Sequence, residues 1–402
     1  MDSIIAKENK YTAKNYHPLH VVLKRGKGVY VWDTEGKRYI DMMSAYSAVS
    51  HGHGHPRLLA ALEHQAKSLC IVSRAFHSDK LAPFLEKLCT ISHMDMALPM
   101  NTGAEAVETA IKAARLWGYK VKGIAKNKAK IIVADGNFHG RTTTIISFSS
   151  DKEYKEGFGP LTPGFISVPF GDEKALQKAI TPDVCAFLVE PMQGEGGIII
   201  PPKGWLQKVQ KICKENNVLL MLDEIQTGLG RTGKMFAFEH EIDKPDGLIL
   251  GKALGGGIMP VSMFLAKKEV MEQFKPGSHG STFGGNPLAA AIGMEALNVL
   301  MEENLAENSQ FLGQYMKKKI KKIGSPLIKD VRGKGLWIGV EIDKKYASAR
   351  TVCEEMLKKG VLSKETHETV VRFAPPLVIT KGVIDEVIGI LDETLTEIEY
   401  KG

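Results

Sequence analysis

Cysteine is scarce in this chain. Its 402 residues hold five, Cys70, Cys89, Cys185, Cys213 and Cys353, and no two form a C-x-x-C pair. An odd, scattered set argues against a disulfide framework or a zinc knuckle and for a reducing compartment. Long apolar runs are missing too: no stretch approaches the roughly 18 residues of a membrane span. The opening residues, MDSIIAKENKYTAK, mix acids with lysines and contain no apolar segment of a secretory signal. A cytoplasmic location is the expectation. One-sided charge is also lacking. Lys and Arg number 53 against 46 Asp and Glu, leaving +7, spread along the length instead of gathered into the basic stripe of a nucleic-acid binder. That surplus fits anionic small molecules. Neither a fixed-period repeat nor a low-complexity segment occurs.

What is present is an ordinary globular composition, 44% apolar and 25% charged, on a chain long enough for two domains or one with an appendage. From about residue 56, helical patterns such as HPRLLAALEHQAKSL and GAEAVETAIKAARLWGYK alternate with short apolar runs. These runs are AKIIVAD, CAFLVEP, NVLLMLDE, PDGLILGK and PVSMFLA. Strands apolar on both faces and separated by helices predict an α/β fold, a parallel sheet buried between helical layers. A long helical pattern, from PLAAAIGMEALNVL to MKKKIKKI, leads to a smaller strand-and-helix section. The boundaries expected are a lead-in over 1–46, with a strand pair turned at Glu35-Gly36, a large domain over 47–302, and a small α+β domain over 303–402.

In open parallel sheets, ligands sit beyond the carboxyl ends of the strands. The residues there are Asp135, Glu190, Asp223 with Glu224, and Lys252. Lys252 precedes a Gly255-Gly256-Gly257 loop. At the mouth of an apolar site its amine would lose hydration, deprotonate more easily and attack a carbonyl, although most lysines after strands are surface residues. Asp223 ends a strand a short connection earlier. An acid beside a pyridine nitrogen is what pyridoxal phosphate (PLP) requires, so the two together favour that cofactor over an N-cap or a salt bridge. Asn101-Thr102-Gly103-Ala104-Glu105-Ala106 feeds a helix N-terminus and suits a phosphate, or is an ordinary cap. Phe138 could stack on a ring or lie in the core.

These stretches, together with F-H-G-R-T, V-E-P-M-Q-G-E-G-G, L-D-E-I-Q-T-G-L-G-R-T-G-K, L-G-K-A-L-G-G-G, S-T-F-G-G-N-P-L-A and V-R-F-A-P-P-L, resemble the class III (omega-amino) aminotransferases of PLP fold type I. The resemblance runs from about Tyr16 to the C-terminus. It implies a large PLP-binding domain with a mostly parallel sheet and a smaller C-terminal domain. Lys252 would hold PLP, Asp223 would pair with the ring nitrogen, and Phe138 would stack on its face, with Glu190 nearby. Gln226 would meet the ring hydroxyl. Gly103 and Ala104, with Thr282 of a second subunit, would hold the phosphate, which implies a homodimer with shared active sites. The substrates implied are L-ornithine and 2-oxoglutarate. Tyr16 and Arg141 would grip the α-amino and α-carboxylate groups of the donor, and Tyr46 matches the tyrosine associated with a preference for ornithine; polar hydroxyls suit a free, charged α-amino group. Arg372 would bind the α-carboxylate of the dicarboxylate through a bidentate fork. Glu195 would neutralise Arg372 while the donor is bound. Two positions depart from the usual pattern: Gly196 stands where Ala is frequent, and His139 where ornithine-using members often carry Trp. The histidine is shared with members acting on N-acetylornithine, which leaves that amine and other omega-amines as alternatives.

Two signals mislead. Gly228-Leu229-Gly230-Arg231-Thr232-Gly233 fits G-x-G-x-x-G but does not open a helix directly off a strand, and Met235 stands where a P-loop needs Ser or Thr. His51-Gly52-His53-Gly54-His55 lacks the spacing of a defined metal site and reads as loop packing. No metal is expected.

Overall fold

The computed structural model describes residues 1–401. A seven-stranded sheet forms its centre, in the order Met96–Met100, Ser262–Ala266, Gly247–Leu250, Leu219–Asp223, Val184–Val189, Lys130–Ala134, Phe165–Val168. Alternate residues of its strands enter separate cores. Ile132, Phe187, Leu220 and Leu222 pack on one face, and Ile131, Ala186, Leu188 and Met221 on the other, the two-residue period of a strand covered on both sides. The helix Gly103–Lys120 covers the second face with Ala106, Ala110, Ala113, Ala114 and Trp117. Its start is fixed by a capping box in which Thr102 and Glu105 exchange hydrogen bonds.

Five neighbouring strands are parallel, but Ser262–Ala266 runs antiparallel to both its neighbours. The parallel reading of PVSMFLA is corrected here. Between Leu250 and Ser262 the chain forms only a 3-10 turn, with no crossover helix to carry it back to the other end of the sheet. The strands Met96–Met100 and Phe165–Val168 complete the sheet at its edges; neither was read from the sequence. The long helical pattern is likewise two helices, Pro287–Glu302 and Leu305–Ile323, broken where Asn304 turns left-handed at φ 52°.

A second sheet, antiparallel, has the order Ile328–Lys334, Trp337–Ile342, Val370–Phe373, Lys364–Thr366. A third is built from Leu23–Lys27, Tyr30–Asp33 and Arg38–Asp41, and Val361–Leu362 joins it in parallel beside Arg38–Asp41. The lead-in is thus stitched to the C-terminal part of the chain. Among the described residues no helix is long and apolar enough to cross a membrane.

Candidate active site

Asp223 and Lys252 reach one cavity because their strands are direct parallel neighbours, Asp223 lying opposite Ile249. The inner chamber has a volume of about 180 Å³ and is lined by Gly103, Ala104, Phe138, Glu190, Gln226 and these two residues, among others. Burial holds the Lys252 amine below the ordinary lysine range, opposed by the charges of Asp223 and Glu195. Its backbone sits at φ 43°, a left-handed conformation that costs a residue with a Cβ about 1–2 kcal/mol and that the surrounding packing must impose.

Asp223 is anchored on both oxygens. Oδ1 accepts the Ile225 N–H at 3.0 Å and Oδ2 accepts His139 Nδ1 at 2.7 Å. His139 is fully buried; burial opposes its charge, but the hydrogen bond and charge of Asp223 lift its pKa above the ordinary value. The histidine marked by the sequence as a clue to the substrate therefore faces Asp223, and it lines the inner chamber and not the outer one. Glu190 accepts the N–H groups of Phe138 at 3.1 Å and Gly194 at 3.2 Å, tying two loops together. Burial pushes its pKa up to about 7.

Two strand-end acids do not reach this crevice. Asp135 is exposed and its carboxylate accepts Ser167 Oγ. Glu224 points away and accepts the Ala237 and Phe238 N–H groups at 2.6 and 2.7 Å. Side chains alternate across a strand, so neighbours Asp223 and Glu224 face opposite ways.

The outer chamber, about 360 Å³, includes Tyr16, Tyr46, Phe138, Arg141, Tyr154 and Glu195 in its wall. A third space of about 190 Å³, lined by Tyr46, Glu195, Gln226 and Lys252 among others, shares wall residues with both chambers. Arg141 donates to the hydroxyls of Tyr16 at 3.4 Å and Tyr154 at 3.3 Å, and its guanidinium lies 4.9 to 5.7 Å from the ring centres of Tyr16, Phe138 and Tyr154. Tyr154 escaped the sequence reading, since nothing local marks it. The strand Lys364–Thr366, which contributes Lys364, Glu365 and Thr366 to the wall, escaped it too.

Tyr46 is presented by four consecutive residues at positive φ, Ser44 to Ser47, a left-handed turn that L-residues avoid. Its supports are specific. Asp41 Oδ1 accepts the N–H groups of Met43 and Ser44, and Ser44 Oγ donates to Ala374 O at 2.6 Å. Arg231 Nη2 donates to Ser44 Oγ and to Ser50 Oγ, while Nη1 reaches the carbonyls of Leu336 and Pro375. The glycine-rich G-x-G-x-x-G stretch thus seats a buried arginine under the Tyr46 turn. The His51-Gly-His-Gly-His tract divides among Ala296 O, Asp41 and Glu303, and no cluster able to hold a metal exists among the described residues.

Beneath Tyr46, Arg372 is almost wholly buried at 1% exposure. Its Nη1 donates to Glu195 Oε1 at 2.7 Å, and Gln226 Nε2 donates to the same oxygen at 3.0 Å. Although burial opposes it, the Arg372 charge holds the Glu195 carboxyl below the usual range. Arg372 Nε and Nη2 and Gln226 Oε1 are buried without a partner, which is costly for a guanidinium unless a second acceptor arrives.

The inner chamber fits PLP by its donor set. A buried amine of lowered pKa, an anchored carboxylate, an aromatic ring at Phe138, an orphaned Gln226 oxygen and a helix N-terminus line one space. A Cβ at Gly103 would lie 2.9 Å from Ile225 Cδ1, so a larger residue there would have to displace the Ile225 side chain. Thr282 lies outside this chamber and is exposed.

Comparison with known proteins agrees with this geometry. The profile described as aminotransferase class-III matches residues 11–395. Ornithine aminotransferases of a Geobacillus species and of Bacillus subtilis are 57% and 56% identical over 95% of this chain, covering 95% and 94% of theirs. The ornithine aminotransferase structure from Toxoplasma gondii, with PLP at partial occupancy in its active site, superposes at a TM-score of 0.98 with 42% identity, covering all of this chain and 95% of that one. The acetylornithine aminotransferase of Elizabethkingia anophelis gives 0.91 and 49%, over 98% of this chain and 99% of that one.

Proposed function

Since the chain belongs to the class-III aminotransferases, we propose that it moves the δ-amino group of L-ornithine to 2-oxoglutarate. The products are glutamate and glutamate-5-semialdehyde, and the semialdehyde closes with loss of water to pyrroline-5-carboxylate. PLP is the cofactor, and its bound ring supplies the electron-withdrawing system that lets the amino-bearing carbon give up a proton. Lys252 would hold the cofactor through its amine and, with that amine free, would carry the proton as general base and acid. Its burial favours the neutral amine this needs. Asp223, fixed by His139 and the Ile225 N–H, sets a carboxylate against the ring nitrogen. Gly103 and Ala104 hold the phosphate at the helix N-terminus. Gln226 meets the ring hydroxyl with its free oxygen.

One observation carries the donor assignment: Glu195 closes Arg372, while Arg141 opens on the outer chamber with its hydrogen bonds, among the described residues, going to the hydroxyls of Tyr16 and Tyr154 and to no carboxylate. With the buried arginine neutralised, an α-carboxylate is drawn to Arg141 in the outer chamber, which directs the far, δ-amino end toward Lys252. Tyr16 and Tyr46 accept the free α-ammonium. When Glu195 turns away, Arg372 offers its unpartnered guanidinium edge to the carboxylate of 2-oxoglutarate. Two subunits complete the enzyme, the exposed Thr282 of each reaching the phosphate of the other, and sedimentation of a fully active monomer would refute this. Five free cysteines suit a cytoplasmic location.

The test is the coloured adduct of 2-aminobenzaldehyde with pyrroline-5-carboxylate, formed from ornithine and 2-oxoglutarate by the PLP-loaded protein. The likeness to acetylornithine aminotransferases supports a second reading, N-acetylornithine as donor. Faster glutamate production from that amine, with no coloured adduct from ornithine, would establish it.

A further inference from the structure

We propose that Arg332, remote from the cofactor chamber, is a positioning residue that fixes the backbone of the Glu195 loop, so that the Glu195 gate opens by side-chain rotation alone. The proposal rests on reading Glu195 and Arg372 as a substrate gate. The loop is a tight reversal. Gln193 and Ile199 close its base with two backbone hydrogen bonds, and the Gly194 carbonyl accepts the N–H groups of Gly197 and Ile198. The carbonyls of Glu195, Gly197 and Ile198 are held by the C-terminal sheet. Arg332 Nε donates to Gly197 O at 3.0 Å and to Ile198 O at 3.1 Å, and Nη2 donates to Gly197 O at 2.8 Å. Thr366 Oγ1 donates to Glu195 O at 2.6 Å.

Arg332 is itself aimed. Nη1 is taken by Glu341 at 2.6 Å and Asp330 at 3.1 Å, so the fork turns its other edge to the loop. The loop backbone is also closely packed: a Cβ at Gly194 would lie 2.6 Å from Gln226 Oε1 and 2.9 Å from Trp337 Cζ2, and Gly197 holds φ 106° beside Arg332. A loop pinned at the carbonyls of 194, 195, 197 and 198 leaves the Glu195 side chain as its mobile part. How firmly that carboxylate shuts Arg372 then depends on Arg332. A looser loop misplaces Glu195, frees Arg372 for part of the time, and admits a dicarboxylate that the closed gate resists.

The experiment measures glutarate, an unreactive dicarboxylate, binding to the PLP-loaded protein by calorimetry, with amide hydrogen exchange over 194–199. Glu195→Gln tests the gate. Arg332→Gln tests the clamp, with Arg332→Lys as the conservative variant and Thr366→Val as a second, milder lesion should Arg332→Gln fold poorly. Glutarate is expected to bind Glu195→Gln more tightly than the parent. Arg332→Gln should follow in the same direction by roughly 3- to 30-fold, the span of coupling changes at positioning contacts, with faster exchange in the loop. Arg332→Lys and Thr366→Val should fall between. Tighter binding in Glu195→Gln with parental binding and exchange in folded Arg332 and Thr366 variants overturns the clamp and leaves the gate standing. Unchanged binding in Glu195→Gln removes the gate, and the clamp with it.

Discussion

His139 and Asp223 form a hydrogen bond of 2.7 Å between two side chains sealed from solvent, at 0% and 4% exposure. Each gains from the other. The carboxylate lifts the histidine's pKa against the pull of burial, and is itself held at one orientation toward the chamber. His139→Phe keeps a ring of similar size and deletes the donor. Losing a hydrogen bond to a charged group costs about 1.5–3 kcal/mol, which corresponds to roughly a 10- to 100-fold lower rate of the ornithine half-reaction if Asp223 is poised by this contact. Single-turnover absorbance reads it, and a parental rate in a folded variant would show that Asp223 needs no such support.

Arg141 is held by two phenols and three aromatic faces. Tyr154→Phe keeps the ring and removes one hydroxyl acceptor. KM for ornithine should rise roughly 3- to 10-fold with kcat little altered, because a contact used equally in ground and transition states acts on binding alone. Arg141→Lys should cost more, since an ammonium cannot present the planar fork. Steady-state kinetics with ornithine varied separates the two effects; a fall in kcat at unchanged KM would place Tyr154 in the chemical steps.

Lys252 should be the single residue that carries the cofactor after borohydride treatment of the loaded protein, read by peptide mass. Lys252→Ala should lose turnover and the amine-dependent shift of the visible band, while its two-chamber site still binds glutarate. A phosphopyridoxyl group on any other lysine would overturn the assignment of the site.

Much of this site was legible because strand ends in a parallel sheet converge. Asp223 and Lys252 could be paired from their places after NVLLML and PDGLIL before any contact was known. The same rule failed for Asp135 and Glu224, because it locates the end of a strand and not the face on which a side chain leaves it. Tyr154 and Arg332 act through tertiary contacts with residues 13 and 135 positions away, and no local spacing carries such information. The Tyr46 turn was hidden for a related reason. Ser-Ala-Tyr-Ser has no glycine to announce a left-handed path, and of the supports that impose it only Asp41 is local, whereas Arg231 and Ala374 come from distant segments.

His51 gives the fold a dependence on acid that is separable from catalysis. It is wholly buried, its Nε2 meets Ala296 O at 2.9 Å, and burial drops its pKa to about 4 from the ordinary 6.5. Between those values the unfolded chain binds a proton that the folded chain refuses. The stability owed to neutral His51 is therefore complete above pH 6.5 and drains away as pH falls toward 4. The slope approaches about 1.4 kcal/mol per pH unit for one such group. Glu190 and Glu224, raised to about 7 and about 8, act in the opposite sense, since their buried carboxyls favour the folded state when protonated. The parent's profile mixes these trends, so the informative quantity is a difference. His51→Gln retains a donor for Ala296 O and cannot titrate. Urea denaturation at intervals from pH 7 to 4.5 should show the parent losing stability relative to His51→Gln as the pH falls; parallel profiles would mean that His51 accepts its proton in the folded state as readily as in the unfolded one.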